Sequence, residues 1–159
     1  MILNIITQPN KILREKSIDL DSKEINSLEF TQFCKNMIET MAEKKGIGLA
    51  APQVGKNIRI ITVSTDKGPL VLINPKITKK SFSKEVDEEG CLSVPDVWGD
   101  VKRSKKITVQ ALNLRNEFIE FFAQGLFARV IQHEIDHLDG ILFIDKAIKI
   151  KKGTVLEEK

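Results

Sequence analysis

Residues 126–140 read LFARVIQHEIDHLDG, and the spacing of their apolar and histidine side chains decides how the rest of the chain is read. Leu126, Val130, His133 and His137 recur at helical intervals as one stripe, with Glu134 beside it. The pattern predicts a helix from about Leu126 to Leu138, ended by Gly140 just past its cap. The two histidines are the only ones in the chain. Four residues apart, they project from adjacent turns of one face, and both point inward with the apolar side chains. Two imidazoles so placed can bind one metal ion. Glu134 lies about 100° round the helix from His133, beside such an ion, where it can carry a proton without being a ligand. H-E-x-x-H on a helix therefore reads as a hydrolytic metal site.

The third ligand must come from elsewhere. Phe143 stands where a metzincin-type pattern would continue with another His after Gly140, which leaves a cysteine or a carboxylate. Cys34 lies inside an apolar stripe and reads as a small core residue. Cys91 lies in EEGCLSVP, residues 88–95, a turn-like segment. Its thiolate with two imidazoles makes a sulfur–nitrogen–nitrogen set that leaves a fourth position open for water.

Working outward, Phe30, Phe33, Cys34, Met37, Ile38 and Met41 predict an N-terminal helix, with Gly46 at its end. Ile58–Val63 and Leu70–Ile73 read as strands, the second closed by Asn74-Pro75. Ile107, Val109 and Ala111 alternate with polar neighbours, and Asn113–Asn116 reads as a turn into a strand over Phe118–Phe122. This order predicts an α+β fold of antiparallel strands packed around a central C-terminal metal-binding helix, with a helix near the N-terminus. A length of 159 residues, 42% of them apolar and 30% charged, suits one soluble domain over residues 1–159. Two cysteines exclude a disulfide scaffold. Apolar runs are too short for a membrane span, and no export signal is visible, so the expected location is cytoplasmic with no membrane partner. A net charge of +3 is too mild to argue for specific nucleic-acid binding.

Residues 46–55 read GIGLAAPQVG. Gly46, Gly48 and Ala51 match a dinucleotide-binding pattern, but that fingerprint must follow a strand and open a helix, and here it follows a helix. The segment reads instead as a loop whose missing side chains let an extended peptide pair with its backbone. Gln53 supplies a neutral amide donor suited to a developing oxyanion.

Together GIGLAAPQVG, EGCLS (Glu89–Ser93) and QHEIDH (Gln132–His137) closely resemble the three motifs of the peptide deformylases, in order and at similar separations. Pro9 to Arg14 is similar to that family's N-terminal P-x-x-x-L-R. The resemblance implies removal of the formyl group from the N-terminal formyl-methionine of nascent chains, with metal-bound water as nucleophile. It implies Cys91, His133 and His137 as metal ligands, with Fe2+ as the physiological ion and Zn2+, Ni2+ or Co2+ as substitutes. Glu134 would move the proton, and the Gln53 amide and Leu92 N–H would serve the oxyanion. Gly46, Ile47, Gly48, Leu126, Arg129 and Val130 would line the methionine pocket, the Arg129 stem along its wall and its head in solvent. Glu89 is expected to pair with Arg103 and hold the Cys91 turn. Many bacterial members carry a long C-terminal helix for ribosome docking. Here Lys146, Lys149, Lys151 and Lys152 form a basic tail before Glu157 and Glu158, and the expectation is at most weak ribosome contact.

Three other readings are weaker. A zinc endopeptidase of the H-E-x-x-H type needs a third His or a downstream Glu ligand, and only Glu157 and Glu158 follow. A metal-stabilised protein that binds peptide N-termini would have no turnover to lose. An RNA-binding basic domain would interleave aromatics with its lysines, a pattern not read in this chain.

Overall fold

The computed structural model describes residues 1–152. A short helix α1 (Ser22–Ile25) leads into α2 (Leu28–Glu43), whose first turn is capped by the Ser27 hydroxyl accepting from the Phe30 N–H at 3.1 Å. Strands β1 (Gly48–Ala50), β2 (Ile60–Thr65), β3 (Gly68–Lys80), β4 (Lys84–Cys91), β5 (Val94–Ser104), β6 (Lys106–Leu112) and β7 (Phe118–Gln124) follow. Helix α3 (Gly125–Leu138) and a last strand β8 (Lys149–Lys152) complete the order. All strand pairs are antiparallel, in a five-stranded sheet ordered β1-β2-β3-β6-β7 and a three-stranded sheet ordered β4-β5-β8. The α+β architecture around a C-terminal helix is as the sequence predicts.

Ile60, Ile61 and Val63 of β2 and Leu70–Ile73 of β3 place apolar side chains on both faces because both faces of the larger sheet are covered there. Ile61, Val63 and Leu72 pack on α3 through Ala128, Ile131 and Ile135. Ile60, Val71 and Ile73, on the alternate face, pack on Cys34, Met37 and Met41 of α2. Full burial of each such side chain contributes about 1.5–3 kcal/mol. Helix α3 is thus clamped between the sheets, which holds its histidine face rigid.

Several local expectations give way to tertiary context. Asn74-Pro75 does not close a strand, because β3 continues to Lys80 through a bulge, with Asn74 at φ +51. Asn74 is held there by its own amide, which pairs with the Leu20 backbone. Lys45 (φ +58), not Gly46, takes the left-handed position after α2. The GIGLAAPQVG segment is not a plain loop: it holds β1 and a 3-10 turn over Ala51–Val54. Residues 88–91 are the end of β4 rather than a turn. Gly140 (φ +75) ends α3 as expected, and a Cβ there would lie 2.5 Å from the Arg14 carbonyl oxygen. The basic tail is ordered as β8 along the edge of β5, with Lys151 paired to Glu88. Glu157 and Glu158 lie outside the described residues.

Candidate metal centre and substrate cavity

Helix α3 contributes His133 and His137, and the end of β4 contributes Cys91. One ligand atom from each lies within 4.8 Å of the others. The Cys91 Sγ is 3.3 Å from His137 Nε2, and the two imidazoles meet edge to face at 5.0 Å between centroids. His133 Nδ1 donates to Glu89 Oε1 at 2.8 Å, which sets its tautomer and leaves Nε2 free on the Cys91 side. Burial works against a charged imidazole at His133, yet Cys91 and Glu89 raise its pKa to about 10. The surroundings draw positive charge to this point. His137 is fully buried, and its Nδ1 has no hydrogen-bond partner among the described residues. The donor set and the convergence of these atoms fit a transition-metal cation.

Glu89 is the hub behind the cluster. Arg103 binds it through Nε at 2.6 Å and Nη2 at 2.9 Å, and Arg129 Nη1 reaches it at 2.7 Å. Burial alone would push its pKa up, but the hydrogen bonds from His133 and Arg103 hold it well below the usual carboxylate range. Asp136 extends the network, accepting from Arg103 at 2.9 Å and from Lys146 at 3.1 Å. The expected Glu89–Arg103 pair is present. The sequence reading did not find the Glu89–His133 bond or the role of Asp136, because contacts spanning tens of residues leave no local signal. A cycle of Glu89→Gln and Arg103→Gln should show a coupling of about 1 kcal/mol or more in metal retention, read by chelator competition. Additive losses would mean that the pair does not orient His133.

The cluster opens onto a cavity of about 520 Å3. Gly46, Ile47 and Gly48 form one wall, Leu126, Arg129 and Val130 another, and Gln53, Cys91, Leu92 and Glu134 line its depth. His137 alone among the expected site residues does not face it. Gln53 is oriented by accepting from the Ala50 N–H at 2.9 Å, which turns its Nε2 toward Ser93 Oγ (3.1 Å) and Cys91 Sγ (3.5 Å). A Cβ at Gly48 would lie 2.6 Å from Glu134 Oε2, so the bare backbone there is what admits the carboxylate. Burial raises the Glu134 pKa to about 7, with His133 opposing the shift, and its Oε1 has no partner among the described residues. Arg129 differs from expectation. Its head is buried against Glu89, the Val101 carbonyl and the Glu85 carbonyl rather than in solvent, because the anionic hub lies on that side. Trp98 also lies at the cavity, stacked so closely on Gly90 that a Cβ there would sit 2.3 Å from its ring.

Two histidines and a cysteine whose ligand atoms converge, beside a buried carboxylate that lines the cavity, define a class, the metal-dependent hydrolases. The family model for polypeptide deformylase matches residues 2–153. A peptide deformylase of Desulforudis audaxviator is 44% identical over 95% of this chain and 97% of its own length. One from Syntrophomonas wolfei is 46% identical over 94% of this chain and 96% of its own. Among solved structures, a class I type b peptide deformylase from Acinetobacter baumannii superposes with a TM-score of 0.90 at 38% identity, covering 92% of this chain and 99% of that one. The Thermotoga maritima enzyme gives 0.88 at 38% identity, covering 94% and 99%. The chain belongs to the polypeptide deformylase family.

Proposed function

We propose that Cys91, His133 and His137 hold the metal and that the cavity takes the N-terminal formyl-methionine of a nascent peptide, whose formyl group is released as formate. The observation that carries this reading is the buried Glu134 carboxylate beside the three candidate ligands, with no partner of its own on Oε1 among the described residues. The family resemblance implies Fe2+ as the native ion, with Zn2+, Ni2+ or Co2+ able to replace it, and one thiolate with two imidazoles is a donor set that all of these ions accept. When bound, such an ion supplies acidified water and polarisation of the formyl oxygen. The chain's own groups do the rest. Glu134 takes the proton of the attacking water and returns it to the departing methionine nitrogen. Gln53 Nε2 and the Leu92 N–H donate to the oxygen on which charge develops.

The free edge of β1, at the border of the larger sheet, suits backbone pairing by an extended peptide. Ile47, Leu126 and Val130, with the Arg129 stem, form an apolar slot for the flexible methionine thioether. The peptide-bound structures lend support: the Acinetobacter enzyme has been solved with Met-Ala-Ser. Residues 1–159 act as one catalytic domain, and a cytoplasmic site of action accords with nascent substrates. No helix among the described residues is long and apolar enough to cross a membrane. Ribosome contact through β8 would be weak, since Lys151 is already paired with Glu88.

The test is formate release from a formyl-Met tripeptide by anaerobically prepared, iron-loaded protein. Turnover should be abolished by chelation, restored by iron or nickel, and accompanied by no internal cleavage. Full metal occupancy without formate release would overturn the assignment.

A further inference from the structure

We propose that the face of the molecule behind α3, centred on the crossover from β3 to β4, binds single-stranded RNA without sequence preference. Residues 76–84 carry four lysines and no acid, and residues 101–110 carry three lysines, one arginine and no acid. Lys76, Lys79, Lys80, Lys84, Lys105 and Lys106 are all exposed, and neither they nor Lys102 form an ion pair among the described residues. Most of the other cations near them are committed. Arg59 bonds Asp139, and both Arg103 and Lys146 bond Asp136. The segments that meet at this crossover therefore carry seven lysines with no ion pair among the described residues, of which Lys76 and Lys80 line the cleft on the α3 side.

Two features make this face more than a solvated charge run. The first is a polar cleft of about 250 Å3 in which Arg59, Arg103 and Lys146 are paired with Asp136 and Asp139, while Lys76 and Lys80 carry no ion pair among the described residues and leave positive charge that suits a phosphate group. The second is Phe82, whose side chain is fully exposed at 103%. Its backbone is held on both sides: the Ser81 N–H donates to the Lys106 carbonyl at 2.9 Å, and the Lys105 N–H donates to the Ser83 carbonyl at 3.1 Å. The ring is thus presented to solvent from a fixed strand crossover between Lys80 and Lys84. A pinned aromatic among free lysines is the arrangement on which unpaired bases stack while cations track the phosphates. A lipid surface is the poorer match, since Ser81 and Ser83 flank Phe82 and residues 79–84 hold no second apolar side chain to insert.

The cleft uses Gln132, Ile135 and Asp136 of α3 and Asp139 just past its end, whereas the substrate cavity uses Leu126, Arg129, Val130, His133 and Glu134. Helix α3 separates the two, so bound RNA leaves the substrate entrance free.

The test is fluorescence anisotropy of a labelled uridine oligonucleotide with the metal-loaded full chain. Saturable binding is expected at about 50 mM KCl, with a log–log salt slope of about −3 from roughly four phosphate contacts. Phe82→Ala should weaken binding about tenfold with the slope unchanged. Lys80→Gln with Lys105→Gln should weaken binding and flatten the slope by about one. Both variants should keep parental deformylation of a short peptide, and saturating RNA should not inhibit it. No saturable binding, binding untouched by either variant, or capture by phosphatidylglycerol vesicles in place of RNA would each overturn the proposal.

Discussion

Glu134→Gln is expected to keep the metal and the fold and to lower kcat by about 10^2 to 10^4. The change is close to isosteric, which matters because Glu134 is buried and fitted against Gly48 and Val130. The amide preserves that packing but cannot accept the proton of the attacking water. It also touches neither Cys91 nor the Glu89–His133 bond that orients a ligand. Metal content should therefore remain stoichiometric while turnover collapses, and KM should change far less than kcat. The check pairs elemental analysis with formate release on the same preparation. Turnover within tenfold of the parent at full occupancy would remove Glu134 from the proton path.

Cys91→Ser is expected to cost at least about a hundredfold in metal affinity, more than the loss typical of an outer partner. A serine hydroxyl is a poor substitute for a thiolate toward Fe2+ or Zn2+. The fold should persist, because Cys91 is only partly buried and ends β4, while the Gly90–Trp98 contact beside it is unchanged. Chelator competition measures the affinity, and a thermal melt of the metal-free forms separates ligation from stability. A variant that holds its metal as tightly as the parent would exclude the sulfur as a ligand. Cys34 offers no rescue, since it is buried in the α2 core, where burial pushes its thiol up to about 12.

How much of the site was legible depended on how far apart its parts lie. His133, Glu134 and His137 share one helix, so a 3.6-residue period places them without any tertiary information. Arg129 shares that helix too, yet the fate of its head was misjudged. A long side chain can turn to solvent or to a buried anion, and only the position of Glu89 on β4 decides which. Asn74-Pro75 failed for a related reason. Both residues favour chain breaks locally, but pairing with β6 and the Leu20 backbone carries the strand through.

The sequence alone determined the α+β class, the helix that carries His133 and His137, and the resemblance that the family comparisons bore out, and it singled out Cys91 as the expected third donor. The class and the helix rest on periodicity and the resemblance on short motifs, where covalent spacing dictates which side chains share a face, whereas Cys91 followed from the want of a third histidine. Tertiary structure decided the rest. It set the Glu89 hub joining His133, Arg103 and Arg129, the close fit of Gly48 to Glu134, the pairing of β8 with β5, and the lysine face around Phe82. Those arrangements depend on strand register and on which chain segments meet across the core, and neither is encoded in local spacing.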